Sequence, residues 1–137
     1  MEEGSSAERW IAVEAFGLMG VVAREKHAVK ISARLEDESN FVRRSALKIM
    51  RQLRDTELWP FARNLARRVD DEDVEIRREA VVAIRELGNP GRQFASLIAK
   101  RLADDDIEVR HRALDALTSK NSYIMLYLGL HHNFGAS

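Results

Sequence analysis

The sequence predicts an all-α fold built from a short array of stacked helical hairpins. One pattern of charged and apolar residues recurs every 33 or 34 positions along the 137-residue chain. Within each copy the apolar residues are spaced as on one face of an α-helix. Only two prolines and seven glycines are present, which is too few for a turn-rich β fold. Because hairpins in such an array bury their apolar faces against one another, we expect residues 1–137 to form a single domain.

The repeat is clearest in a column of arginines. Arg43, Arg77 and Arg110 are separated by 34 and 33 residues, and each is followed three residues later by an alanine. A step of 34 residues back from Arg43 reaches Arg9. An aspartate lies six residues before three of these arginines, at Asp37, Asp71 and Asp104. Agreement in so many columns indicates a structural repeat.

Each copy holds two helices, a shorter A-type helix followed by a longer B-type helix. A capping box at Ser5–Glu8 predicts where the first helix begins. Acidic clusters precede the later B-type helices, where carboxylates cap free N–H groups. The segment 88–91, Gly-Asn-Pro-Gly, ends one helix.

The repeated sequence motif is Asp-x-x-x-x-Val/Ile-Arg-x-x-Ala-Leu/Val, and it occurs in three copies within roughly residues 7–120. It resembles the HEAT-repeat family, whose members are α-solenoids. The Trp, Gly-Tyr and Pro columns of tetratricopeptide repeats and the Thr-Pro-Leu-His word of ankyrin repeats are missing. The resemblance implies a right-handed α-solenoid of about three full HEAT-like helical hairpins flanked by half repeats. The implied order is a B-type helix at about 6–20, repeats at about 25–54, 58–87 and 91–119, and a degenerate A-type segment at 122–137. It also implies an inter-repeat ladder in which each arginine reaches an aspartate in the turn of an adjacent repeat, formed by Asp37, Arg43, Asp71, Arg77, Asp104 and Arg110.

A second column lies opposite the apolar stripe of the B-type helices, on the side that lines the concave surface of HEAT solenoids. We expect the residues that contact a partner to lie on this side. They are Trp10, Arg44, Lys48, Arg51, Arg78, Arg85 and His111. One interpretation is a docking groove for an acidic peptide, a protein surface or a phosphate backbone. The other is a solvated charged face that binds nothing.

Composition limits the function classes. The chain has 22 Lys+Arg and 22 Asp+Glu, so its net charge of zero argues against general attraction to nucleic acid or membranes. Without cysteine there is no disulfide, thiol nucleophile or Cys-ligated zinc. The longest apolar run, Tyr123–Leu130, is shorter than the roughly 20 residues of a membrane span. No signal peptide is recognisable at the N-terminus. We expect a soluble intracellular protein, either cytoplasmic or in an organelle after removal of a transit peptide.

No known catalytic motif is present, and we expect neither a metal nor a cofactor. Apolar residues are concentrated at both ends of the predicted array, in 10–22 and 123–130. Such surfaces usually mark interfaces, including self-association. We therefore predict a non-catalytic scaffold or adaptor for another protein, or a structural subunit of a larger complex. The alternative is a bilin lyase-like or other HEAT-like protein that handles a tetrapyrrole chromophore, and the third hypothesis is a nucleic-acid binder.

Overall fold

The computed structural model describes residues 4–118, and this part of the chain contains helices and turns but no strand. The prediction of an all-α fold is confirmed. The predicted A-type segment at 122–137 lies outside the described residues. The α-helices between residues 4 and 118 are α1 (Ser6–Leu18), α2 (Val21–Lys26), α3 (Ala28–Ala33), α4 (Asn40–Met50), α5 (Asp55–Leu58), α6 (Ala62–Arg67), α7 (Val74–Glu86), α8 (Ala95–Lys100) and α9 (Ile107–Thr118). Short 3₁₀ segments are Arg34–Glu36, Trp59–Phe61, Arg68–Asp70, Asn89–Phe94 and Arg101–Ala103.

The chain divides into two compact units, Met1–Leu65 and Ala66–Ser137. In the first unit α1 and α3 both pack on α4. In the second unit α7 and α8 both pack on α9. Each unit therefore has a B-type helix that contacts an A-type helix and another B-type helix. The expectation of one domain over residues 1–137 stays a prediction.

The B-type helices lie where the apolar periodicity predicts them. The N–H of Glu8 donates to the Ser5 hydroxyl at 3.2 Å, so α1 begins at the predicted cap. It ends at Leu18 rather than at about residue 20, because the backbone is already extended at Met19 and Gly20. Asp73 caps α7 by accepting from the N–H groups two and three residues later, at 2.9 and 3.2 Å. These caps satisfy donors that the first helical turn leaves unpaired.

The A-type segments are less regular than predicted. Helix α3 continues into the 3₁₀ turn Arg34–Glu36, and the A-type part of the predicted repeat 58–87 is divided into several short pieces. Pro60 lies at the start of one piece, where a missing N–H is tolerated. Helix α2 was not predicted as a separate element. It has six residues and buries none of them, so no apolar stripe identifies it.

The alanine that recurs in the B-type helices α4, α7 and α9 is buried in the apolar core. Ala46, Ala80 and Ala113 are fully buried. The large apolar residues four positions later in the chain, at Met50, Ile84 and Leu117, are buried as well. A small side chain beside a large one lets neighbouring helices approach closely and fill the space between them.

Gly91 lies so close to a neighbouring backbone atom that we expect no side chain to fit at this position. It is buried in the 3₁₀ segment Asn89–Phe94, and a Cβ there would collide with the backbone carbonyl oxygen of Ile84. Gly91→Ala should lower the free energy of unfolding by about 1–3 kcal/mol through overpacking. Urea unfolding followed by far-UV circular dichroism measures this change.

The matched control is Gly20→Ala, where nothing lies within 4 Å of the added methyl group. This variant should stay within about 0.5 kcal/mol of the wild type. Equal stability of the two variants would contradict the close packing of Gly91 against α7.

Candidate protein-binding surface and the network that supports it

The turn before each of three B-type helices has one recurring hydrogen bond. The carboxylate of an aspartate accepts from the backbone N–H two residues later, which is the bond of an Asx turn. The acceptors are Asp37, Asp71 and Asp104, and the donors are Ser39, Asp73 and Asp106, at 2.9, 2.9 and 3.0 Å. All three aspartates are buried. The turn geometry is thus the same in each repeat.

The column arginines bond first to their own turns. Nη1 of Arg43, Arg77 and Arg110 donates to the backbone carbonyl oxygen of the turn aspartate, at 2.9, 3.0 and 2.8 Å. The same Nη1 also donates to the next carbonyl oxygen, at 3.1, 3.2 and 3.2 Å. The resemblance implied only a bond to an adjacent repeat, so this intra-repeat clamp is an additional role.

Bonds from one repeat to the next occur within each unit. Arg9 donates to Asp37 through Nε and Nη2, at 2.8 and 3.1 Å. Arg77 donates to Asp104 through the same two nitrogens, at 3.0 and 3.1 Å. The two carboxylate side chains are only 3% and 2% exposed. Bidentate pairs of this kind are directional as well as strong, so they set the spacing of the repeats.

A third set of arginines belongs to this network and was missed by the sequence analysis. Nη1 of these residues donates to the turn aspartate three positions later. The residues are Arg34, Arg68 and Arg101, at 3.3, 2.8 and 3.1 Å. Their spacing of 34 and 33 residues equals that of the B-helix arginines and could have identified them.

The network keeps the carboxylates of Asp37 and Asp104 ionised. Burial by itself would raise the pKa of Asp37, but hydrogen bonds from Arg9 and from the Ser39 N–H outweigh it, and the pKa is lowered. The pKa of Asp104 is lowered in the same way, against burial, by Arg77 and the Asp106 N–H. The charged pairs are therefore complete at neutral pH.

In the second unit two of the predicted partner-binding arginines are paired with α9. Arg78 donates to Asp106 through Nε and Nη2, at 2.9 and 2.6 Å, and its hydrogen bond strongly lowers the pKa of that carboxyl. Arg85 forms an ion pair with Asp115. The partner of Arg78 lies 28 residues away in the sequence, at the start of the next B-type helix rather than on α7 itself. His111 is exposed on α9.

In the first unit the predicted residues lie on two packed helices. Arg44 and Lys48 lie on α4, and Arg51 is the residue that caps its C-terminus. Their spacing of four and three residues places them on one side, which we call the α4 basic face. Lys48 is exposed, and the two arginines are half-buried. Trp10 occupies the same repeat position on α1 as Arg44 does on α4, and it is exposed. This is the densest group of predicted contact residues within one unit.

Exposed large apolar side chains are also concentrated in the first unit. Among the described residues, nine of the twelve belong to it. They are Trp10, Ile11, Leu18, Met19, Val21, Val22, Val29, Phe41 and Trp59. Exposed apolar surface that is contiguous is typical of interaction sites.

With this geometry established, comparison with known families identifies the class of protein. A family model described as HEAT repeats matches residues 28–118. The chain belongs to the HEAT-repeat family, as the repeated sequence motif indicated. Comparison with curated proteins and with solved structures gives no significant match.

Residues 4–118 contain neither a membrane-spanning helix nor a cluster of metal ligands. No helix in this range is long and apolar enough to cross a membrane. Within the same range, no three His, Asp or Glu side chains are grouped so that they could hold a metal ion. His131 and His132 lie outside the described residues.

The buried and exposed ion pairs of the second unit should differ in strength. Double-mutant cycles with Arg77→Met and Asp104→Asn should give a coupling energy of about 1–3 kcal/mol, because the partners are desolvated and bidentate. Cycles with Arg85→Met and Asp115→Asn should give about 0.2–1 kcal/mol, since solvent screens this pair. Urea unfolding of the variants measures both energies, and equal couplings would contradict a structural role for the buried pair.

Acid should weaken the fold through the turn aspartates. Asp37 and Asp104 have pKa values in the folded state below the unfolded value of about 3.9. Their contribution is therefore fully present above about pH 5 and is lost as the pH falls through 4 towards the folded pKa. Urea unfolding between pH 3 and 7 should show this loss, and Asp104→Asn, although less stable at pH 7, should show a smaller one. An identical pH dependence in the variant would contradict the assignment.

Proposed function

We propose that the protein is a non-catalytic scaffold or adaptor that binds another protein through exposed side chains of its B-type helices. The observation that carries this proposal is the α4 basic face with Trp10 on the neighbouring helix. Tryptophan and arginine are the residue types that most often dominate binding energy at protein interfaces. HEAT repeats generally mediate protein–protein interaction, and HEAT-repeat proteins are typically non-catalytic.

The charge distribution favours a protein partner over a polyanion. The net charge of the chain is zero, and Arg78 and Arg85 are paired with carboxylates of α9. A nucleic acid would require a long row of uncompensated cations to release its counterions. An acidic segment of a protein needs only a few positively charged contacts beside an aromatic anchor. The proposed contact centres on Trp10 and on Lys48, the exposed cation of the α4 basic face.

The network under this surface supports a binding role in a second way. Arg9 and Arg43 fix the turn that precedes α4, so the start of this helix is held before any partner arrives. A surface that is already ordered loses little conformational entropy on binding. Rigidity of the turns thus makes the exposed columns of α1 and α4 suitable for specific contacts.

Reversal of one exposed charge should weaken binding selectively. We expect Lys48→Glu to reduce retention of the partner in affinity capture from an extract of the source cells. With the partner purified, we expect affinity to fall about tenfold or more, because an acidic surface would then face a like charge.

Lys30→Glu is the matched control, since Lys30 is an exposed lysine on the A-type helix α3 of the same unit. This variant carries the same change of charge and should bind as the wild type does. If both variants retain the partner equally, the α4 basic face is not the contact surface.

A further inference from the structure

Helix α1 presents an apolar stripe to solvent. Its members are Ala7, Ile11, Ala15 and Leu18, which we call the α1 stripe, and their spacing of four, four and three residues places them on one side of the helix. Ile11 is 60% exposed and Leu18 is 91% exposed. The opposite side of α1 carries the buried Arg9 and Val13. The helix is therefore apolar on its outer side, where a surface helix is normally polar.

Equivalent positions in later repeats are used for helix stacking. Ile11 corresponds to Ser45 on α4 and to Arg112 on α9. Ser45 donates to Glu14 Oε1 of α1 at 2.6 Å, and Arg112 donates to Glu79 Oε1 of α7 at 3.3 Å. Both residues thus face the preceding B-type helix. By this equivalence, the α1 stripe is the side on which a further helix would stack.

The repeat equivalents of Ala15, a second residue of the α1 stripe, also lie in helix-packing contacts. Ala15 corresponds to Ile49 on α4 and to Ala116 on α9, and both of these are buried. A Cβ added to Gly17 of α1 would lie 3.2 Å from Cδ1 of Ile49, so Ile49 packs directly against α1. Ala15 itself is exposed. The stripe therefore has the shape of a helix-packing surface that the described residues leave uncovered.

Charges beside the stripe indicate what would cover it. Glu8 lies on one side of the stripe and Glu14 on the other, and apart from the buried Arg9 they are the only charged residues of α1. A second copy of α1 would bring the same glutamates together, and anionic lipid headgroups would be repelled. A helix whose apolar face is flanked by lysine or arginine would match both the stripe and its rim.

We infer that the α1 stripe docks an amphipathic helix of a partner protein, with an aliphatic face and basic flanks. The inference rests on the proposed binding function and adds a second contact surface, separate from the α4 basic face. Aliphatic side chains of the partner pack between Ile11, Ala15 and Leu18, while its basic flanks pair with Glu8 and Glu14. The partner helix thereby takes the position that α1 takes on α4.

A designed peptide tests this surface directly. The probe is a fluorescein-labelled peptide of about 18 residues, five helical turns, with leucines at i, i+3, i+4 and i+7 flanked by lysines. A second peptide carries glutamates in place of the lysines. Fluorescence anisotropy with the full chain at low salt measures both affinities. We expect the lysine peptide to bind about tenfold or more tightly than the glutamate peptide.

Variants locate the binding. Leu18→Asp should weaken the lysine peptide about tenfold or more, and Glu8→Lys should weaken it while improving the glutamate peptide. Leu114→Asp is the matched control, because Leu114 is 51% exposed on α9 and its loss should not change binding. Since Leu18 and Glu8 are exposed, far-UV circular dichroism should show that these variants keep the fold.

Three results would overturn the inference. Equal effects of Leu18→Asp and Leu114→Asp would place the peptide elsewhere, and equal affinity of the two peptides would remove the role of the acidic rim. A wild-type dimer that Leu18→Asp converts to a monomer would show that a second copy covers the stripe.

The outcome can be separated from that of the proposed function. If Leu18→Asp weakens peptide binding and Lys48→Glu leaves capture of the partner unchanged, the α1 stripe is supported and the α4 basic face is rejected as a contact surface. The reverse pattern rejects the stripe and leaves the α4 basic face.

Discussion

A buried carboxylate in each turn is the constraint on which the repeat depends. An ionised aspartate removed from water is costly unless charged and hydrogen-bonded partners surround it. Asp37 and Asp104 each accept from a backbone N–H of their own turn, from the arginine three residues earlier and from an arginine of the preceding repeat. All of these donors must stand at fixed distances. The carboxylate thus links the shape of the turn to the spacing of the helices.

This constraint explains why so much of the fold could be predicted from the sequence. A bond between Arg77 and Asp104 allows little change in the number of residues between repeats, so the columns stay in register at 33 or 34 positions. The B-type helices were predictable because their buried faces recur at helical spacing. The A-type segments were predicted less well, since Pro60 and several 3₁₀ turns interrupt the α-helical period. Helix α2 buries no residue and so leaves no periodic pattern in the sequence.

The candidate site was predictable only in part. Periodicity places Arg44, Lys48 and Arg51 on one side of α4, and no tertiary information is needed for that. The pairing of Arg78 with Asp106 was not predicted, although its separation of 28 residues equals that of the inter-repeat pair Arg9 and Asp37. Asp106 also accepts from the N–H of Val109 at 2.9 Å, so its sequence position indicates only a helix cap. Which charges on a repeat surface remain available therefore depends on how the helices pack.

One repeat position of the B-type helices differs in residue type from repeat to repeat. Ile11, Ser45, Glu79 and Arg112 occupy the same column, yet they are aliphatic, hydroxylic, acidic and basic. Ser45 and Arg112 each bond to a glutamate of the preceding B-type helix, and Glu79 is the residue that accepts from Arg112. Where a described helix stacks there, the side chain is polar and hydrogen-bonded, as in Ser45 and Arg112. Where none does, at Ile11, the side chain is apolar and exposed. The turns thus fix the scaffold, and this column determines which surface each helix offers to its neighbour or to a partner.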